Sequence, residues 1–270
     1  MACFICTACG TQYADTDAPP SMCRICTDDR QYVPWSGQQW TTQTDLMADY
    51  AVRFESDGAL LGIGVTPSFA IPQRALLVPT LAGNVMWDCT SLVTDEAIDT
   101  LQAAGGVVAI TISHPHFYSS MVEWSDALGA IPMFVHEADR EWIARPSPNI
   151  TPWRGDRHEL APDATLIHTP GHFPGSSVLH LSATSNRAGV LLAGDSLHVT
   201  GDRRGVTFVH SVPNHMPMHP VHVLDIRDRL AGVEFDDLYG FTWGLNLLGD
   251  ARARVDASFD RYLAAVGRTG

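Results

Sequence analysis

The sequence contains no lysine; all 17 of its basic residues are arginine, which excludes a lysine Schiff base as a catalytic device. Positive charge is scarce as a whole, 17 basic against 30 acidic residues for a net charge of −13. Nucleic-acid binding relies on basic patches that displace counterions, so no nucleic-acid partner is expected. No apolar run approaches the ~20 residues needed to cross a bilayer. The start, Met1-Ala2-Cys3-Phe4-Ile5-Cys6, lacks a basic segment followed by an apolar stretch. The expectation is a cytoplasmic protein with no membrane partner and a small-molecule substrate. What is present, 270 residues with 45% hydrophobic and 17% charged, suits one large core with a small appendage.

Cysteine is also sparse, but four of the six are grouped. Cys6-Thr7-Ala8-Cys9-Gly10 and Cys23-Arg24-Ile25-Cys26 are two C-x2-C pairs with 13 residues between them. Each tight turn offers two thiolates, and four thiolates complete a tetrahedron around Zn2+ or Fe. So short a segment buries little apolar area, so a metal would supply most of its folding free energy, in a structural role. The segment also resembles the rubredoxin-type module in Phe4, Tyr13, Gly10 and the Ala18-Pro19-Pro20 turn, which keeps iron beside zinc. Cys89 reads as a buried, inert thiol.

The rest of the chain is organised around Ser113-His114-Pro115-His116-Phe117-Tyr118-Ser119-Ser120. It follows the β-branched run 107–112, the pattern of a strand buried on both faces. The two histidines therefore leave the C-terminal edge of a sheet, where functional residues of α/β proteins collect. Further blocks are Asn84-Val85-Met86-Trp87-Asp88, Thr169-Pro170-Gly171-His172-Phe173-Pro174-Gly175-Ser176 and Val190-Leu191-Leu192-Ala193-Gly194-Asp195. In this order the four blocks resemble the metallo-β-lactamase superfamily over about residues 55 to 266.

The resemblance implies an α/β fold, a four-layer αβ/βα sandwich with its site at the seam of two sheets. It also implies metal ligation by His114, His116 and His172, a metal-binding carboxylate at Asp195, and an orienting role for Asp88. Two departures matter. The family's motif continues with Asp and His where this chain has Tyr118 and Ser119, and no late histidine follows the strand near 236–244. The expectation is one metal, Zn2+ or Fe, held by three imidazoles with Asp195 as fourth ligand or close partner. Proton handling would then fall to Asp195 or His198, and Tyr118 is a candidate donor to an oxyanion. His215 and His219 are candidates for the missing late ligand.

The implied activity is hydrolysis of an ester, thioester, lactone or amide by a metal-activated water. The alternatives are a mononuclear-iron oxidoreductase resembling persulfide dioxygenases, or a fold that has lost catalysis and binds a partner.

The expected organisation is a four-cysteine module over 1–34, a linker over 35–54 with partly buried tryptophans, and the main domain over 55–270. Within it, strands are expected at 60–65, 68–71, 75–78 and 85–87. Helices are expected at 94–104, 120–128, 137–144, 221–230 and 251–266, and a short one at 46–54. Further strands are expected at 132–135, 165–168, 177–181 and 190–193.

Overall fold

A computed structural model describes residues 1–185 and 187–267. The four-cysteine segment forms a small sheet of β1 (Ala2–Cys6), β2 (Gln12–Thr16) and β3 (Trp40–Thr41), in the order β2-β1-β3. Between the first two strands the chain reverses at Gly10, whose φ of +82° suits glycine and whose N–H donates to the Cys6 carbonyl at 2.8 Å. Residues 35–54 are not a bare linker. Trp40–Thr41 closes the module's sheet, and α1 (Gln43–Asp49) follows, its N-terminus capped by the Thr42 side chain on Asp45 N. The helix expected at 46–54 ends at Asp49, because Ala51–Asp57 is already the edge strand of the main body. Trp40 is half-buried, with its ring edge-on to Tyr13 at 5.1 Å, whereas Trp35 is fully exposed.

The main body is two sheets face to face. The first contains β4 (Ala51–Asp57), β5 (Leu60–Thr66), β6 (Ala75–Thr80), β7 (Gly83–Trp87), β8 (Ala109–Thr111), β9 (Met133–His136) and β10 (Ile150–Trp153), in the order β10-β9-β8-β7-β6-β5-β4. Strands β7 to β10 pair parallel and the others antiparallel. The run 68–71 is not a strand, since Pro67 and Pro72 flank it and Ala70 has a left-handed φ of +53°. The first sheet's outer face carries α2 (Asp95–Ala103), capped by Thr94, and α3 (Met121–Ala127). Glu137–Trp142 is a 3-10 helix rather than the expected α-helix.

The second sheet begins with β11 (Arg157–Ala161), β12 (Ala164–His168), β13 (Ser177–Leu181) and β14 (Val190–Leu192). Two ribbons then project, β15 (His198–Val199) with β16 (Val206–Thr207) and β17 (Val209–Ser211) with β18 (Met216–Pro217). After α4 (Pro220–Arg229), β19 (Asp237–Tyr239) and β20 (Asn246–Leu247) complete the sheet, and α5 (Ala251–Ala265) lies with α4 on its outer face.

Alternation along the strands sets the four layers. Leu76 and Val78 point to the seam between the sheets while Ala75 and Leu77 face the helices. From the other sheet Leu179, Leu181 and Leu192 enter the seam, and Val178 and Leu191 pack under α4 and α5. A buried ion pair on the first sheet reaches across the seam: Arg74 donates through Nε to Asp57 at 2.6 Å and through its other nitrogens to the Gly240 carbonyl and Asn246 Oδ1 on the second sheet's side. Its donors are satisfied, as a buried guanidinium requires. No helix among the described residues is long and apolar enough to cross a membrane.

Candidate metal centres

Four strands deliver side chains to one end of the seam. Asp88 follows β7, His114 and His116 follow β8, His172 lies between β12 and β13, and Asp195 follows β14. Asp88 is buried, with φ of +62°, and its Oδ1 accepts the Ser113 N–H at 2.8 Å, which fixes the chain just ahead of His114. Burial pushes its carboxyl up to about 8. Gly194 (φ +50°) brings the fourth block against this turn; a Cβ there would lie 2.6 Å from that of Ser113.

Donor atoms of His114, His116, His172 and Asp195 lie within 4.8 Å of one another, and all four residues are buried. His172 Nε2 is 3.3 Å from His116 Nδ1, and Asp195 Oδ2 is 3.5 Å from His114 Nε2 and 3.7 Å from His172 Nε2. A tetrahedron with metal–nitrogen bonds of ~2.0–2.1 Å has edges of about 3.4 Å, so the set fits a zinc-sized ion. Of these donors His114 Nε2 is buried without a hydrogen-bond partner, as a nitrogen kept for a metal would be; the outward atoms His116 Nε2 and Asp195 Oδ1 are buried without one as well. The rings are oriented from outside: Ser113 Oγ lies 2.9 Å from His114 Nδ1, and the Val209 carbonyl 3.2 Å from His172 Nδ1. Burial and neighbouring imidazoles push His172 down to about 3 and His116 well below its ordinary value, which leaves their lone pairs free at neutral pH. Burial acts to raise Asp195, but the nearby imidazoles, His114 first and then His172, hold it below the usual carboxylate range.

The remaining candidates lie elsewhere. Tyr118 is buried, its hydroxyl donates to the Asp139 carbonyl at 3.2 Å, and it does not line the cavity over the histidines. Ser119 Oγ accepts from Gln73 Nε2 at 2.9 Å. His198 stands outside the four-donor group, with its ring 5.0 Å from Phe241 and its Nδ1 buried without a partner. His215 is exposed, and His219 caps α4 by accepting from Val221 N. Phe241, two residues past the late strand β19, lines the cavity.

The second centre is made of sulfur. Cys6, Cys9, Cys23 and Cys26 are buried, with Sγ atoms within 4.8 Å of one another and 3.6 Å separations for Cys6–Cys26 and Cys9–Cys23. A four-thiolate tetrahedron with bonds of ~2.3 Å has edges of about 3.8 Å, so this set also fits. Tyr13 donates its hydroxyl to Cys23 Sγ at 3.4 Å and Gln38 its amide to Cys6 Sγ at 3.1 Å, as suits thiolates. Cys3 and Cys89 stand outside the group.

The two centres share a wall. Just past Cys26, Arg30 grips Asp28 with Nε at 2.5 Å and Nη2 at 2.9 Å, and its Nη1 donates to the His172 carbonyl at 3.2 Å. Its guanidinium lies 4.0 Å over the Phe173 ring. Asn214 Nδ2 donates to the Asp29 and Gln31 carbonyls, and Ser211 Oγ to the Arg30 carbonyl. Residues 30–32 thereby line the cavity of about 240 Å³ whose floor holds His116, His172 and Asp195. Sequence reasoning treats the module as separate from the site and passes over Arg30, a lone arginine in a polar stretch with no periodicity to single it out.

No family model matches the chain. Among solved structures, the B3 metallo-β-lactamase with an active-site glutamic acid is 15% identical, with a TM-score of 0.51 over 80% of this chain and 91% of that one. MEM-A1, a subclass B3 metallo-β-lactamase isolated from a soil metagenome library, is 17% identical, with a TM-score of 0.50 over 79% and 96%. At such identities the likeness is one of fold, and the fold is that of the metallo-β-lactamases. In sequence, the chain is 38% identical over 269 residues to the uncharacterized protein YmaE of Bacillus subtilis (strain 168), spanning 98% of this chain and 97% of that protein, and it belongs to the YmaE family.

Proposed function

We propose that the protein is a metal-dependent hydrolase that opens an ester, thioester, lactone or amide bond at one metal ion held by His114, His116, His172 and Asp195. The observation that carries this reading is the converging donor set, buried, partly without protein partners, and set at the floor of a cavity. A metal bound there supplies a Lewis acid and a water that ionises near pH 7. The chain's residues do the rest. Ser113 and the Val209 carbonyl hold the rings of His114 and His172 in place. Asp195 stays ionised, with Oδ2 turned to two imidazoles and Oδ1 free to accept a hydrogen bond from water or to hold its proton. His198, three positions past Asp195 and with a buried Nδ1 that has no partner, is the residue to pass that proton on.

The test is metal content together with turnover. Protein purified anaerobically is expected to carry about two zinc ions per chain, one in each centre, and to hydrolyse p-nitrophenyl esters. His116→Ala is expected to lose one zinc and the activity. Iron lost with His116 in place of zinc moves the reading to redox chemistry. Unchanged metal content and no turnover favour a binding protein.

A further inference from the structure

We propose that the four-cysteine module supplies the substrate-selecting wall of the three-histidine cavity, with Tyr32 as a specificity-determining residue, and that the group it selects is uncharged and apolar. The inference rests on the cavity being the substrate site, as the hydrolase reading has it. Above the metal donors the walls are Ile71 and Pro72 before β6, Val212 and Pro213 between β17 and β18, Phe241 after β19, and Tyr32 of the module. Apolar surface gathered at the mouth of a cavity marks a binding site for apolar groups, and Tyr32 (53%) and Val212 (38%) are both substantially exposed there.

Charge decides the class. The cation in the lining is Arg30, and its guanidinium is committed, to Asp28 through Nε and Nη2 and to the His172 carbonyl through Nη1. A carboxylate or phosphate carried against the upper wall, away from the metal donors, finds no free cation there, and an anion buried without a partner is costly. An alkyl or aryl group meets no such penalty. The wall is also set in advance. Ser211 and Asn214, on either side of Val212 and Pro213, hydrogen-bond the main chain of residues 29–31, so Tyr32 and the ribbon tip are held as one piece. The cavity, about 240 Å³, corresponds to roughly eight water volumes, enough for a short chain or a single ring.

N-propyl-, N-butyl- and N-pentylacetamide, titrated into the metal-loaded full chain by ligand-observed NMR, test the wall without any turnover. Affinity is expected to rise about fourfold per added methylene. Tyr32→Ala is expected to flatten that rise, and Tyr32→Phe to keep it. No rise in the wild type, or the same rise in Tyr32→Ala, overturns the proposal. Binding of the series without hydrolysis of any p-nitrophenyl ester overturns the hydrolase reading alone, whereas hydrolysis with a flat series overturns the wall alone.

Discussion

The sulfur and imidazole centres are both buried and both four-membered, but their donor atoms have different surroundings. Around the thiols the chain is closed: Tyr13, Gln38 and Thr11 meet Cys23, Cys6 and Cys9. Among the imidazoles, two ring nitrogens and a carboxylate oxygen have no partner, and the floor opens to a cavity. A metal enclosed by protein on every side is the form of a structural site, whereas a catalytic site keeps a position for water; at the imidazole centre that position would face the cavity, with Asp195 as a close partner or with water as a fifth ligand. Position in the chain adds to the contrast. The thiols come from two tight turns within 21 residues, whereas the imidazoles and Asp195 come from three blocks spread over 82, so the first cluster is expected to depend on a metal to form and the second on the two-sheet body.

The largest expected effect breaks the imidazole centre. His116→Ala should lower hydrolysis by more than about 100-fold, with the four-cysteine metal retained, because Cys6, Cys9, Cys23 and Cys26 form a separate donor group. Cys23→Ser should do the converse, with one metal lost and a fall in melting temperature, as a site that supplies much of its module's folding free energy requires. If the two centres were independent, the imidazole metal would stay as tightly bound. The shared wall predicts weaker binding of that metal too, measurable by competition with a chelator.

Arg30→Ala isolates the wall itself. It removes no metal donor, yet it frees the His172 carbonyl, and affinity at the imidazole centre should fall about 10-fold to 100-fold with the thiolate metal unchanged. Arg30→Lys should restore little, since an ammonium cannot make a planar two-nitrogen grip on Asp28 and reach a carbonyl as well.

The smallest effect concerns Asp139, between the centres. Its Oδ1 accepts the Gly175 N–H of the His172 loop at 2.7 Å, and in the same 3-10 helix the Glu141 carbonyl accepts Arg24 of the module. Burial pushes the Asp139 carboxyl from 3.8 up to about 7. The folded state therefore holds this proton more tightly than the unfolded chain, and its contribution to stability is lost as pH rises from about 4 through about 7. Asp139→Asn should gain on the wild type by on the order of 1–2 kcal/mol between pH 6 and pH 8, read from urea denaturation at each pH. Asp88, raised in the same direction, is common to both proteins and drops out of the difference.

Much of this was legible in the chain because the signals were local. The thiolate pairs, the His-x-His turn and the Thr-x-Gly-His block each put their chemistry within a few residues, and the helix at 94–104 announced itself through Thr94 and its acidic first turn. What was missed depends on distant approach. Arg30 meets a carbonyl 142 positions away, and no periodicity encodes that contact. Strand β10 contains Pro152 and β11 alternates with charged residues, so neither read as a strand. The stretch 68–71 erred the other way, apolar enough for a strand but broken by the left-handed Ala70.

Ser119 fixes what a designer can do with this scaffold. Its carbonyl receives the Gln12 N–H of the module at 3.0 Å and its hydroxyl the Gln73 amide, so a site where the resemblance implies a ligand is used here as anchorage. Writing Asp and His back at positions 118 and 119 would set the new imidazole against that mooring. A binuclear version would therefore have to be built by recasting the amino-terminal attachment together with the loop.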